Sequence, residues 1–456
     1  MASPDRSHAP AVGPAPEPRL PAIRRERLSN GLGLVMLPSA RAPVVVLEVV
    51  VGAGSARDTP ERAGLADLTV HALPEGAAGL GMLQIAERLA RIGAQLTVEA
   101  GHDAARLRIT ALRSSLDDAL GLTADLAMRP SFPEEELDRL RAEREIDLLR
   151  STDQPASVAR RIFDCELFGA DHPYGSPPEG TIAAVRSAVR EAFVEFYRHA
   201  YRPPNASLVV VGDFDVADVA PKVERAFGGW VGDAVDRVDV SPPSRPGGGL
   251  VLVDRPGSAQ SELRIGHVGV PYAHGDALAL RVLNHLLGGA FLSRLNLNLR
   301  ERRGWTYGVK SKFGFRRGPG PFTISTSVAT AVTRPAIEEI HGELERLVAG
   351  PIEEAERTLA INGLTLGLPL QFQTPWQIAD RVREIVIHDL PDDWWDGIQD
   401  RYRAVAVEDL ERVGRVHLRP DALLIVVVGA SAEVGDDLAA LGPVTHRARK
   451  PAVSVT

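Results

Sequence analysis

Asp67, Val70 and His71 stand in Gly64-Leu65-Ala66-Asp67-Leu68-Thr69-Val70-His71-Ala72, with the spacing D-x-x-V-H. The intact form of this spacing is H-x-x-E-H. It sets two imidazoles one helical turn apart on a shared face, where they bind zinc, and the Glu between them polarises a zinc-bound water. Here a carboxylate replaces the first imidazole and a valine replaces the base. Carboxylate and imidazole can each ligate a metal, but a valine cannot accept a proton. The stretch therefore predicts a helix carrying a degenerate hydrolytic site.

A second chemical pair is Arg300 and Tyr307, seven residues apart in Leu299-Arg300-Glu301-Arg302-Arg303-Gly304-Trp305-Thr306-Tyr307-Gly308. A guanidinium and a phenol are donors suited to charge developing on a tetrahedral oxygen. Taken alone they read as a solvated arginine and a strand aromatic, and only the surrounding string gives them weight. Gly288-Gly289 followed by Ser293-Arg294-Leu295 reads as a helix end and loop. Arg302 and Arg303 read as surface or interface charges, and His172-Pro173-Tyr174-Gly175 as a structural turn. The chain has no G-x-S-x-G, no Walker A sequence and no G-x-G-x-x-G after a strand, and its 12 histidines form no second metal cluster by spacing.

These residues need elements to hold them. Val-rich runs predict strands over 33–37, 44–51 and 207–212, and alternation predicts strands over 95–98 and 104–111. Helical spacing predicts helices over 61–73, 83–92, 116–128 (with Ser114-Ser115 offering the cap), 134–150, 156–168, 184–199 and 216–227. The Pro/Gly-rich stretch 236–249 reads as an interdomain linker. Strands over 250–253, 263–270, 322–328 and 423–428 follow, with helices over 276–287, 334–348 and 351–363. Tyr201-Arg202-Pro203 through Gly212 is echoed by Leu418-Arg419-Pro420 through Gly429, an offset of 217. Pro133-x-Glu135 is echoed by Pro351-x-Glu353, an offset of 218. Two landmarks at nearly one offset predict a duplicated domain. The expected fold is α+β, with two homologous domains (22–235 and 250–445), each a mainly antiparallel sheet with helices on one face. Residues 1–21 and 446–456 read as tails.

Composition sets bounds. The 456 residues are 44% hydrophobic and 25% charged, ordinary for a globular protein, and the net charge of −8 gives no nucleic-acid footprint. The single cysteine, Cys165, excludes an intrachain disulfide and Cys-based zinc sites, and reads as a small core residue. No signal-like or membrane-spanning apolar run is present, so the expectation is a cytoplasmic chain without a membrane partner.

Over about 28–442, the duplication and motifs resemble the M16 (insulinase/pitrilysin-like) peptidases, and within them a non-catalytic short subunit. The resemblance implies half of a clamshell-like chamber. Its zinc box falls on Asp67, Val70 and His71, and its third ligand on Asp147, which is 76 residues beyond His71. The Arg300/Tyr307 pair matches donors that non-catalytic halves extend into a partner's zinc site to hold the peptide carbonyl. Gln95-Leu96-Thr97 falls where catalytic halves pair an edge strand with substrate.

The resemblance thus implies no catalysis by this chain alone and no cofactor of its own. Zinc is expected in a catalytic partner bearing H-x-x-E-H, with a peptide substrate shared in a heterodimer. A second reading is a structural or peptide-holding protein of the same fold. A third is an unconventional metallopeptidase using Asp67, His71 and Asp147.

Overall fold

The run Val44–Val51 is apolar on both faces except at Glu48. Such a strand is stable only where both faces are covered. The computed structural model, which describes residues 16–243 and 248–447, places it in the interior of a sheet.

The N-terminal lobe contains β1 (Arg24–Arg27), β2 (Gly33–Pro38), β3 (Val44–Val51), a small hairpin of β4 (Gly76–Ala77) and β5 (Leu80–Gly81), β6 (Gln95–Ala100), β7 (Ala105–Leu112) and β8 (Ala206–Gly212). The C-terminal lobe contains β9 (Gly249–Asp254), β10 (Gln260–Val268), β11 (Val309–Phe313), β12 (Pro321–Ala329), β13 (Leu424–Gly429) and β14 (Val444–Arg447). Among the described residues the main sheets run β1-β2-β8-β3-β7-β6 and β11-β12-β10-β13-β9-β14. Pairing is antiparallel except β2 with β8, β13 with β9, and β14 with β9. The order β2-β8-β3-β7-β6 is that of β9-β13-β10-β12-β11, so the sequence repeat is a repeat of topology.

Strand residues alternate between two cores. Leu34, Met36, Leu47, Val49, Leu208 and Val210 face the helices of their own lobe. Val35, Leu37, Val46, Val50, Val209 and Val211 face the other way, onto Ile378, Ala379 and Val382 of the helix Pro375–Ile387. That helix belongs to the C-terminal half. The reciprocal contact is made by Pro155–Phe168, whose Val158, Ala159, Phe163 and Leu167 cover Val251, Val253, Leu424, Val426 and Val428. Each lobe thus carries its own helices on one face, as expected, and one helix of the other lobe on the opposite face.

Charge locks one crossing. The fully buried Glu48 accepts from Arg108 (Nη2, 2.6 Å) and from Arg383 (Nη1, 3.1 Å) on the crossing helix. Asp380 Oδ1 accepts from the same two guanidiniums, at 2.6 Å each. The second crossing is joined by the expected turn. The buried Tyr174 hydroxyl donates to Asp103 at 2.6 Å and accepts the Gly318 N–H at 3.0 Å.

Several boundaries move. Of the N-terminal tail, 1–15 lie outside the described residues. Leu20 of the remainder packs on the lobes, because its side chain has apolar surface to cover. Residues 244–247 of the linker are also outside. Val238 and Val240 lie against the crossing-helix core, and Gly249 already belongs to β9. Residues 446 and 447 end β14, and 448–456 are outside the described residues. The helix expected over 184–199 is two, Ile182–Ser187 and Arg190–Ala200. The 3-10 turn Arg113–Ser115 leads into Leu116–Met128 without a Ser115 side-chain cap. Cys165 is half-buried, not a core residue, because it lies off the buried stripe of its helix, which Val158, Ala159, Phe163 and Leu167 form.

Candidate functional site

The D-x-x-V-H stretch is the helix Leu65–Ala72. Its first turn is fixed by Asp58, whose Oδ2 accepts the Gly64 N–H at 2.9 Å and whose Oδ1 accepts the Ala66 N–H at 3.0 Å. These are donors that a helix start leaves free. Gly64 has φ +99°, and a Cβ there would lie 2.9 Å from the Gly180 Cα. Burial pushes the Asp58 carboxyl up to about 7, against the lowering effect of its backbone donors.

Val70 is buried in the lobe's apolar core, so the position of the expected base is a packing position. Asp67 is buried and His71 is half-exposed. His71 Nδ1 lies 2.8 Å from the Asp67 carbonyl oxygen, to which it donates, and 3.5 Å from Asp67 Oδ2. The same Oδ2 is in close ion contact with Arg144, which reaches over from the long helix Glu134–Asp153. The contact is ionic and not an aligned hydrogen bond. Desolvation raises the Asp67 carboxyl, while His71 and Arg144 pull it down.

Asp147 does not join them, which corrects the expected ligand set. It lies one turn further along the long helix, 69% exposed at the side chain, and its ion contact is to Arg150 at 3.6 Å. Helical phase explains the difference. Residues 144 and 148 of this helix face inward, and 147 lies outside that stripe.

The zinc fit follows. A structural or catalytic zinc needs three or four protein donors. Among the described residues no set of three His, Cys, Asp or Glu donors gathers here, and the Asp67 carboxylate is already paired with a guanidinium. The residues do not fit the metal.

The Arg300/Tyr307 pair is differently built. Arg300 sits in the helical turn Asn296–Arg302. Asn296 fixes that turn. Its Nδ2 donates to the carbonyls of Ala290 (3.1 Å) and Val309 (2.8 Å), and its Oδ1 accepts the Val309 N–H at 3.0 Å. Asn298 donates to Glu339 at 2.8 Å and to Glu343 at 2.7 Å, and Arg294 holds Glu356 with two bonds of 2.7 and 2.6 Å. The sequence reading missed Asn296 and Asn298 as loop anchors. Two Asn two apart between apolar residues is the weak signal they offered.

Arg300 lies over the Phe291 ring, 3.7 Å from its centroid. Glu301 is 3.5 Å away, and Nη1 is buried with no hydrogen-bond partner. Tyr307 is 97% exposed. Thr306 steadies its loop by accepting the Gly308 N–H at 3.1 Å. Phe291, under Arg300, and its chain neighbour Leu292 are exposed, at 65% and 54%. Arg303 pairs with Glu339, so it is a structural charge. Strand β6, which holds Gln95, is the edge of its sheet, and among the described residues it pairs with β7 alone.

Residues 34–163 match the family profile described as Insulinase (Peptidase family M16), and residues 187–364 match that of the Peptidase M16 inactive domain. The two spans, 130 and 178 residues, cover more than half of the 456. The chain belongs to the M16 peptidase family. As an M16 chain it is similar to an uncharacterized zinc protease of Mycobacterium leprae, 27% identical over 358 residues, covering 76% of this chain and 78% of that one. An uncharacterized zinc protease of Rickettsia bellii is 25% identical over 322 residues, covering 70% and 77%. Among solved structures, an M16 inactive domain from Pseudomonas fluorescens shares the fold with a TM-score of 0.84 at 23% identity, over 90% of this chain and 98% of that one. A protease from Helicobacter pylori does so with a TM-score of 0.83 at 21% identity, over 90% and 100%. No helix among the described residues is long and apolar enough to cross a membrane.

Proposed function

We propose that this chain is the non-catalytic subunit of a two-chain M16 zinc peptidase. The observation that carries the reading is the contrast between its two sites. The degenerate box is closed by the Arg144–Asp67 contact. The Arg300/Tyr307 stretch instead presents a tyrosine turned to solvent and an arginine resting on the exposed Phe291 ring. Two donors on a braced loop, with Phe291 and Leu292 exposed in the same segment, suit a surface completed by a partner. In the assembled chamber the zinc and the base would come from a catalytic sister chain with H-x-x-E-H. Arg300 and Tyr307 would hold the peptide carbonyl and stabilise charge on its oxygen.

A second reading, a structural or peptide-holding subunit, is supported by the two crossing helices, which make a rigid body that needs no chemistry. The third, a metallopeptidase of Asp67, His71 and Asp147, has the outward Asp147 against it.

The test is to copurify the chain with an H-x-x-E-H sister chain and assay peptide cleavage by each chain and by the pair. Cleavage that needs both chains and falls on Arg300→Ala or Tyr307→Phe supports the first reading. Unchanged turnover in both variants rejects it in favour of the second.

A further inference from the structure

The fold gathers a cluster of metal-ligating side chains that spacing gives no hint of, far in sequence from the degenerate box. His274 and Asp276 lie on the loop before the helix Ala277–Asn284, and His417 ends the helix Val407–His417. One ligand atom from each lies within 4.8 Å of the other two. His417 Nε2 donates to Asp276 Oδ2 at 2.7 Å, and His274 Nδ1 is 4.0 Å from the same oxygen. The two imidazoles stand edge to face, 5.1 Å between centroids.

We propose that His274, Asp276 and His417 form a site for a divalent first-row cation, with zinc the best match. Two imidazole nitrogens and one carboxylate oxygen are a borderline donor set of the kind zinc takes, with water in the fourth position. Zinc bonds of about 2.0–2.1 Å place tetrahedral ligand atoms about 3.3 Å apart. The present separations from Asp276 Oδ2, 2.7 and 4.0 Å, lie either side of that value, and all three ligand atoms are within 4.8 Å of one another, so side-chain rotations are what the shell needs to close.

The site is held by a cation already. Arg412 donates to Asp276 through Nη2 (2.7 Å to Oδ1) and Nη1 (3.3 Å to Oδ2). Its side chain is 48% exposed and can swing into water when a metal displaces it. His274 Nδ1 also accepts the Asp276 N–H at 3.1 Å, a bond given up on ligation through that nitrogen. His417 gives up its Nε2 proton in the same step, as metal binding to imidazole requires. The bound ion ties the 270–276 loop to the end of the Val407–His417 helix. This inference does not depend on the chain's role in proteolysis.

The experiment dialyses the tag-free, chelator-stripped full chain against micromolar ZnCl2 and counts zinc per chain, with the thermal midpoint as second readout. One zinc per chain and a raised midpoint are expected. His417→Ala and Asp276→Ala each weaken uptake at least tenfold, while His71→Ala leaves it unchanged. Arg412→Gln keeps all three ligands, removes the competing charge and tightens binding, so it remains informative where a ligand variant fails to fold. The proposal is overturned if wild type and Arg412→Gln both bind under a tenth of an equivalent. It is equally overturned if uptake survives His417→Ala or vanishes in His71→Ala.

Discussion

The guanidinium of Arg144 meets the buried carboxylate of Asp67 one helical turn before the position where a third metal ligand was expected. A side-chain cation thus pairs with the carboxylate of the D-x-x-V-H helix. Removing one partner of a buried ion pair costs about 3–5 kcal/mol, whereas replacing both by apolar groups can be neutral. Arg144→Ala should therefore lower stability to urea by about that amount, and Arg144→Leu combined with Asp67→Leu should recover most of it. A double variant as unstable as the single would show that the pair adds more than mutual compensation.

Tyr307 makes no buried contact, so Tyr307→Phe should leave the chain's stability within about 0.5 kcal/mol of wild type. In a reconstituted pair with a catalytic sister chain, loss of one such donor should reduce kcat by about 10²–10³-fold. Stopped assays at saturating peptide separate this from a change in KM.

The reciprocal crossing helices make the lobes interdependent. Proteolytic nicking within 236–243, a stretch without helix or strand, should leave both fragments eluting together under native conditions. Arg383→Ala removes one of the two guanidiniums hydrogen-bonded to the fully buried Glu48, which keeps Arg108, and should destabilise the intact chain by about 1–3 kcal/mol. Fragments that separate on a sizing column would contradict the crossing.

Asp58 gives a pH dependence with a definite sign. Its folded carboxyl titrates at about 7, above an unfolded value of about 3.9. Between these pH values the folded chain holds a proton that the unfolded chain has lost, so this group's contribution falls as pH rises from about 4 to about 7. Asp58→Asn keeps an acceptor for the helix start and removes the titration. The slope of Tm against pH over that window should shift in the positive direction relative to wild type. An unchanged slope would place the titration elsewhere.

Much of this was legible in the chain. The offset of 217–218 gave the duplication because it repeats whole strands and helix starts, and local pattern survives in sequence. D-x-x-V-H and the Arg300/Tyr307 spacing were visible for the same reason: each lies within a few turns of one segment. Counting residues to a distant partner was less secure. An offset of 76 selected Asp147, but the phase of a twenty-residue helix decides which side chain faces the box, and that phase is set by packing. The sequence by itself determined the absence of a base at Val70 and the presence of two donors at 300 and 307. Only the tertiary structure decided that Arg144 fills the box, that Arg300 rests on Phe291, and that each lobe is roofed by a helix of the other. It alone joined His274 to His417, 143 residues apart. These are long-range contacts, chosen by what buries apolar surface and pairs buried charge, and no local spacing records them.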